Sequence, residues 1–275
     1  MLIALTSVKG SPGVTTFAVA LAASWPAGAR RVVVECDPAG GDLAQRFGLA
    51  ASPGLLSLAA AARQPVDQDV VWNHTQPLPG GIQVMAGPPG AHQARAALGT
   101  LTSATSPLFA HRPAVAVFAD CGRLDPGSPT EAVIRHADVL LVISGSHSDE
   151  LAHLATRVHD LGRIAARACL VLAGGGHATN AVERELGIPV MARIPDDPSG
   201  AANYTGRAAP HRRRAGGLVR VASVVAQVLA AGPSREPSPP VLDAVQQVPG
   251  VPAQPTAASG VRVLRPPVLG KDVRS

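Results

Sequence analysis

Short apolar runs alternate with alanine-rich segments over about the first 230 residues, and this alternation is what most limits the fold. The runs are apolar at nearly every position, which is typical of strands buried on both faces of a parallel sheet. The predicted strands are Leu2–Ser7, Arg31–Cys36, Ile82–Ala86, Ala114–Ala119, Val139–Ser144, Cys169–Ala173 and Val190–Ile194. The predicted helices are Thr15–Ser24, Ala91–Ser103, Thr130–His136, Ser148–Ile164, Thr179–Leu186 and Gly217–Ala230.

This order of elements predicts an α/β fold, a doubly wound, mostly parallel sheet with helices on both faces. Ligands of such sheets bind beyond the carboxyl ends of the strands. The loops after the first, second and fourth predicted strands are therefore where a site is expected.

The composition of the chain changes near Gly232. From Pro233 to Ser275 there are nine prolines in 43 residues, with few large apolar residues and no helical period. This composition predicts a disordered, partly polyproline tail. The domain organisation that we expect is a globular domain over residues 1–232 and a proline-rich tail over residues 233–275.

Several observations favour a cytoplasmic protein. No run approaches the roughly 18 apolar residues that span a membrane. No basic segment precedes the apolar N-terminal run, so it does not read as a signal peptide. The cysteines are odd in number, far apart and embedded in apolar runs, which argues against a disulfide framework and suits a reducing compartment. They are Cys36, Cys121 and Cys169.

A glycine-rich loop, Lys9-Gly-Ser-Pro-Gly-Val-Thr-Thr16, joins the first predicted strand to the first helix. Backbone amides in such a turn converge on an anion, and the helix N-terminus adds partial positive charge. The loop therefore predicts a phosphate site, with the Thr15 hydroxyl placed for Mg²⁺. The pattern G-x-x-x-x-G-K-[ST] is not met, because Val8 and Val14 replace its first glycine and its lysine. A purely structural turn is the alternative.

Motifs in matching order resemble those of the MinD/ParA family of P-loop ATPases, over residues 1 to about 231. The loop beginning at Lys9 resembles the family's deviant phosphate loop, K-G-G-x-G-K-[ST]-[ST]. The segment Glu35-Cys-Asp-Pro38 resembles its D-x-D-P switch, and the strand ending at Asp120 resembles its Walker B strand. The segment Ile194-Pro-Asp-Asp-Pro198 resembles the part of the family that lies beside the base.

The resemblance implies that ATP and Mg²⁺ are bound between two protomers of a homodimer. Lys9 would reach across to the partner's phosphates, as a flexible point charge can. Asp37 would orient the attacking water, and Asp120 would hold Mg²⁺ through water. The alternatives are purely structural roles: Asp37 could form a turn before Pro38, and Asp120 could be a carboxylate that happens to end a strand.

The resemblance assigns nucleotide binding to the loop and to one proline further along the chain. These residues are Gly10, Ser11, Pro12, Gly13, Val14, Thr15, Thr16 and Pro195.

The sequence departs from the family pattern at two places that affect nucleotide binding. Val14 removes the lysine that binds phosphates within one protomer, so weaker affinity and poorer hydrolysis are expected. Many members place an asparagine beside the base in the loop after Cys169–Ala173, where this chain has Gly174-Gly-Gly-His177, so base recognition is expected to be weak or backbone-mediated. Glu35 replaces the first switch aspartate and keeps its charge at longer reach.

The function implied is a nucleotide-dependent dimer switch that positions a cellular cargo, in chromosome partitioning, septum-site placement or secretion and pilus assembly. A pseudo-ATPase scaffold that has lost hydrolysis is the second hypothesis, favoured by Val14.

The only lysines are Lys9 and Lys271, against 22 arginines, so the formal charge of +5 reflects arginine bias and says little about partners. A basic run around Arg212–Arg214 has two interpretations, nonspecific DNA binding or a solvated surface. Prolines after Arg265 oppose a membrane-binding C-terminal helix.

Overall fold

The computed structural model describes residues 1–10, 13–64, 68–102, 114–206 and 216–232. All of these belong to one compact unit, Met1–Leu242. Ser11 and Pro12 of the glycine loop, the basic run at Arg212–Arg214 and the predicted tail lie outside the described residues. The boundary after residue 232 stays a prediction.

A single sheet of eight strands forms the centre of the fold, in the order β3-β4-β2-β5-β1-β6-β7-β8. All neighbouring strands are parallel except the edge pair β3 and β4. The strands are β1 (Leu2–Ser7), β2 (Arg30–Glu35), β3 (Gln76–Leu78), β4 (Ile82–Met85), β5 (Val115–Arg123), β6 (Val139–Ser146), β7 (Ala168–Gly176) and β8 (Val190–Ile194). The predicted fold class and all seven predicted strands are confirmed, with ends shifted by a few residues.

Ten α-helices and one 3₁₀ helix, Gln68–His74, are found in the described part of the chain. The α-helices are α1 (Val14–Ser24), α2 (Leu43–Phe47), α3 (Leu55–Ala61), α4 (Ala91–Leu101), α5 (Thr130–Arg135), α6 (Ser148–Ala155), α7 (Val158–Ile164), α8 (Thr179–Leu186), α9 (Pro198–Ala202) and α10 (Gly217–Ala230). No helix among the described residues is long and apolar enough to cross a bilayer.

Two apolar cores cover the two faces of the sheet. Within β1, Ile3 and Leu5 face the core that contains α1 and α10, while Ala4 faces the core that contains α3 to α8. Successive side chains of a strand point to opposite faces, so a strand covered by helices on both sides must be apolar throughout. This explains the uninterrupted apolar runs of the sequence.

The predicted helix Ser148–Ile164 is wrong as a single element, because the structure breaks it after Ala155. The Thr156 hydroxyl donates to the His153 carbonyl at 2.8 Å, and the Arg157 guanidinium donates to the Leu124 carbonyl at 3.1 Å. Both contacts take the chain out of the direction of α6 and begin α7. Apolar periodicity alone does not report such a break.

Candidate functional site

The glycine loop lies at the carboxyl edge of the sheet and ends at an uncapped helix. Gly10 and Gly13 have φ angles of 71° and 92°, a conformation that favours glycine. Gly13 is the N-cap of α1, and no side chain caps it. The first bond of the helix runs from the Phe17 N–H to the Gly13 carbonyl at 2.8 Å, so the preceding amides have no acceptor within the helix. The local geometry therefore suits an anion.

Val14 contributes only its backbone to this loop. Its side chain is 6% exposed and packs in the apolar core beneath α1 with Phe17 and Leu21. No cationic group stands at that position. The N–H of Val14 remains at the helix N-terminus beside those of Thr15 and Thr16.

Lys9 is exposed at the start of the loop, and it contacts α6 of its own chain. Its Nζ lies 2.7 Å from Nε2 of His153. A lysine ammonium donates only, so the His153 ring nitrogen is the acceptor in this contact. His153 could not be predicted from the sequence, because the contact joins residues 144 positions apart.

Buried Asp120 and half-buried Thr15 lie together next to the loop. Asp120 is 1% exposed at the carboxyl end of β5, where its Oδ1 accepts the Gly122 N–H at 3.1 Å. Burial raises the pKa of Asp120 to about 6, against hydrogen bonds from the Thr15 side chain and the Gly122 amide that lower it. A buried carboxylate beside a hydroxyl has the hard oxygen chemistry that Mg²⁺ prefers.

The residues present fit a magnesium ion held mostly by water and phosphate. Among the described residues there is no cage of three or more His, Cys, Asp or Glu side chains. Mg²⁺ commonly binds through one or two carboxylates plus substrate phosphates, so a cage is not required. Thr15 and Asp120 are the residues that would hold it.

Asp37 follows β2 and occupies a space that exists only because residue 122 is glycine. Its Oδ1 accepts the Ala39 N–H at 2.7 Å. A Cβ built on Gly122 would lie 2.0 Å from Asp37 Oδ2, and Gly122 has a φ of 57°. Burial raises the pKa of Asp37. Asp37 is thus in direct contact with β5.

We expect Gly122→Ala to destabilise the protein by roughly 2 kcal/mol more than Gly127→Ala does. Both glycines have positive φ angles, 57° and 70°, so both substitutions strain the backbone. Nothing lies within 4 Å of a Cβ built on Gly127, whereas the methyl group of an alanine at residue 122 would displace the Asp37 carboxylate. Urea unfolding of the two variants measures the difference. Equal losses would show that Asp37 moves away without cost.

The Glu35 carboxyl group accepts hydrogen bonds from backbone N–H groups and does not contact the glycine loop in any hydrogen bond among the described residues. Its Oε1 accepts the N–H groups of Asp42 and Leu43 at 2.7 and 2.9 Å, and its Oε2 accepts the N–H of Gly87 at 2.9 Å. These bonds join the start of α2 to the segment after β4. The longer side chain is used to hold two loops together, which the sequence did not reveal. Burial raises the pKa of Glu35 to about 7, because desolvation outweighs the three amide bonds.

The raised pKa of Glu35 predicts that the nucleotide-free protein loses stability as pH rises. The folded state holds this proton up to about pH 7, whereas the unfolded chain releases it near pH 4.5. Between these values the folded state binds more protons, so the free energy of unfolding falls with pH, by roughly 3 kcal/mol for Glu35 alone. Urea unfolding in EDTA from pH 5 to 8 measures this slope.

The matched variants for this pH profile are Glu35→Gln and Glu185→Gln. The first removes one of two buried carboxyl groups with a raised pKa, the other being Asp120, and is expected to make the slope of the pH profile shallower. The second removes an exposed carboxyl on α8 and is expected to keep the wild-type slope. A wild-type profile that is flat or that rises between pH 5 and 8 would contradict the prediction.

A cavity of about 270 Å³ extends from the glycine loop to the carboxyl ends of β7 and β8. Gly13 and Thr16 line one end, and Gly174 and Pro195 line the other. The late segment is fixed by Asp197, whose two oxygens accept the N–H groups of Gly200 and Leu218 at 2.8 and 3.1 Å. The cavity thus reaches Pro195 and Gly174, which the resemblance places beside the base of a nucleotide.

Arg193 fixes the glycine-rich loop after β7, and the sequence analysis missed it. Its guanidinium donates to the Ser146 hydroxyl and the Gly174 carbonyl, both at 2.7 Å, and to the His177 carbonyl at 2.5 Å. Partial burial lowers the pKa of Arg193. An arginine that alternates with apolar residues at a strand end is the signal that could have revealed it.

These features define a P-loop NTPase fold: a parallel sheet, a glycine loop between β1 and α1, and an acidic residue at the end of the neighbouring strand β5. The structural neighbours of the chain are MinD/ParA family ATPases. No protein-family model matches the sequence, and no curated protein matches it significantly. The likeness therefore rests on the fold.

Three solved structures show the extent of this likeness. The septum site-determining protein MinD with Mg-ADP, from Pyrococcus horikoshii OT3, matches with a TM-score of 0.65 and 15% identity, covering 84% of this chain and 97% of that one. The ParA family ATPase of Chlorobium tepidum TLS matches at 0.62 and 16%, covering 83% and 98%. A variant of McdA from Cyanothece in complex with ATP matches at 0.62 and 15%, covering 83% and 96%.

Proposed function

We propose that the protein is a P-loop nucleotide switch that binds ATP with Mg²⁺, dimerises, and positions a cellular cargo. The observation that carries this proposal is the juxtaposition of an uncapped glycine loop with Thr15 and the buried Asp120. Structural neighbours with bound Mg-ADP and ATP support it. The neighbours include a ParA family ATPase and a septum site-determining protein, which supports a role in partitioning or positioning. We place the protein in the cytoplasm.

In this proposal, separate residues bind the phosphates, hold the metal ion, orient water and contact the partner protomer. The amides at the start of α1 bind the phosphates, since backbone N–H groups and the helix dipole both favour an anion there. When bound, Mg²⁺ supplies positive charge against the phosphate oxygens. Thr15 and Asp120 hold that ion, and Asp37 orients water through an oxygen not engaged by Ala39. Lys9 donates to the phosphates bound by the partner protomer.

A pseudo-ATPase scaffold is the second candidate, and the buried side chain of Val14 favours it. Phosphoryl transfer depends on positive charge placed against the transferring group. Because Val14 replaces the lysine that would bind phosphates within the same protomer, turnover is expected to be slow even where binding and dimerisation are retained. Such a protein would use the nucleotide to hold a dimer surface together.

Titration with ATP and Mg²⁺, followed by light scattering and phosphate release, tests both candidates. Binding with dimerisation supports the switch, and added phosphate release makes it an ATPase. Dimerisation without phosphate release supports the scaffold that keeps the nucleotide. Failure to bind at millimolar nucleotide would overturn the proposal.

A further inference from the structure

The wall of the cavity at the ends of β7 and β8 includes a run of three glycines, residues 174–176. Gly174 lines the cavity directly, together with Ile194 and Pro195 at the end of β8. Gly174 and Gly176 have φ angles of 71° and 141°, in the region that favours glycine. Glycine loses the most conformational freedom when its backbone is fixed, so other groups must hold this part of the wall in one shape.

The Arg193 guanidinium and the Ser146 hydroxyl bind the carbonyl groups of this segment. The guanidinium donates to the Gly174 and His177 carbonyls at 2.7 and 2.5 Å, and to the Ser146 hydroxyl at 2.7 Å. That hydroxyl donates in turn to the Gly175 carbonyl at 2.9 Å, and the Ser146 carbonyl accepts the His177 N–H at 2.9 Å. One guanidinium therefore fixes three carbonyl groups of the segment, two directly and one through Ser146.

Arg193 reaches this segment because of its place in β8. Successive side chains of a strand point to opposite faces. Ile194 lines the cavity and packs with the core that contains α1 and α10, whereas the Arg193 guanidinium extends past the end of β7 to Ser146 on β6. Ser146 is fully buried, and the planar fork of an arginine donates in several fixed directions at once. The guanidinium thus ties three neighbouring strand ends to the wall of the cavity.

A binding wall that is already ordered receives a ligand without the entropy loss of ordering it on binding. The glycine run was expected to make base recognition weak or backbone-mediated, and these contacts favour the second alternative. Given the proposed nucleotide site, on which this inference rests, we infer that Arg193 is a positioning residue that holds residues 174–176 in the shape that receives the base of ATP. Its loss weakens the part of the affinity that comes from the base and leaves the part that comes from the phosphates at α1.

Calorimetric titration with ATP and with inorganic tripolyphosphate, each with Mg²⁺, separates these two parts. The wild-type chain is expected to bind ATP at least about tenfold more tightly than tripolyphosphate. In Arg193→Ala, ATP affinity is expected to fall about tenfold, since a wall that holds the receiving shape for about a tenth of the time lowers the apparent affinity by that factor. Tripolyphosphate affinity is expected to change by less than about twofold.

Arg193→Lys keeps the positive charge and loses the planar fork, so it is expected to recover part of the ATP affinity. It also carries the comparison of the two ligands if Arg193→Ala fails to fold. Arg184→Ala is the matched control, because it removes an exposed arginine from the last turn of α8. It is expected to keep the wild-type affinities for ATP and for tripolyphosphate.

Equal losses of ATP and tripolyphosphate affinity in the Arg193 variants would overturn the inference, because general damage to the fold weakens both ligands. Unchanged ATP affinity would overturn it as well. A wild-type chain that binds ATP no more tightly than tripolyphosphate would do the same and would leave the proposed phosphate site intact. Failure of the wild-type chain to bind either ligand would overturn the proposed function itself.

Discussion

Replacing Lys9 with alanine is expected to abolish nucleotide-dependent dimerisation and to leave the folded monomer intact. Lys9 is exposed, and its contact with His153 is a surface contact, so its removal costs little stability. It is also the only lysine among residues 1–232. Because Val14 is apolar and buried, no other lysine can supply charge to the phosphates. Losing a charge-assisted hydrogen bond to phosphate weakens binding by at least about tenfold.

Light scattering with ATP and Mg²⁺, over a protein concentration series, measures this loss of the dimer. Lys271→Ala is the matched control, because it removes the only other lysine of the chain. His153→Ala adds a second comparison, since it removes the resting partner of Lys9 and keeps the cation. We expect dimerisation to persist in both control variants. Dimerisation of Lys9→Ala at the wild-type concentration would exclude the role assigned to Lys9.

Asp120→Asn is expected to have opposite effects on stability and on magnesium dependence. In the nucleotide-free protein Asp120 is a buried carboxylate whose pKa is raised to about 6, so at pH 8 it is ionised at a cost. The amide removes that cost while its oxygen still accepts the Gly122 N–H. The free energy of unfolding is expected to rise by about 2 kcal/mol at pH 8. The same change removes the charge that would hold Mg²⁺, so binding of nucleotide is expected to lose its dependence on the metal.

Urea unfolding in EDTA, and calorimetric titration of ATP with and without Mg²⁺, separate these two effects. Asp149→Asn, which removes an exposed carboxylate from the first turn of α6, is the control and is expected to change stability by no more than about 0.5 kcal/mol. A purely structural Asp120 would give a different result. In that case its replacement would leave the effect of Mg²⁺ on binding as large as in the wild type.

The sequence predicted the sheet well, because strands buried on both faces must be apolar at every position. It also located the strand ends that carry Lys9, Asp37 and Asp120, since these ends follow directly from the strands. The edge strand β3 was missed because it is three residues long and contains a proline. The short helices α2, α3 and α9 were missed as well, because five to seven residues are too few to show a helical period.

Side-chain direction was the part of the site that the sequence could not provide. Val14 proved to be a core residue, and Glu35, which replaces the first aspartate of the switch motif, proved to bond three backbone amides. Both outcomes depend on packing between segments that are distant in the chain. The same holds for Arg193, whose partners lie on two other strands and the loop that follows.

The contact between Lys9 and His153 would make the proposed dimerisation an exchange reaction. To reach a partner's phosphate, the ammonium must first give up an acceptor that it already has at 2.7 Å. The net gain on association is then the difference between two hydrogen bonds and not the whole of one, and the imidazole left behind must be hydrated again. An assembly held by such a difference separates readily once the nucleotide changes, which suits a protein that cycles between partners.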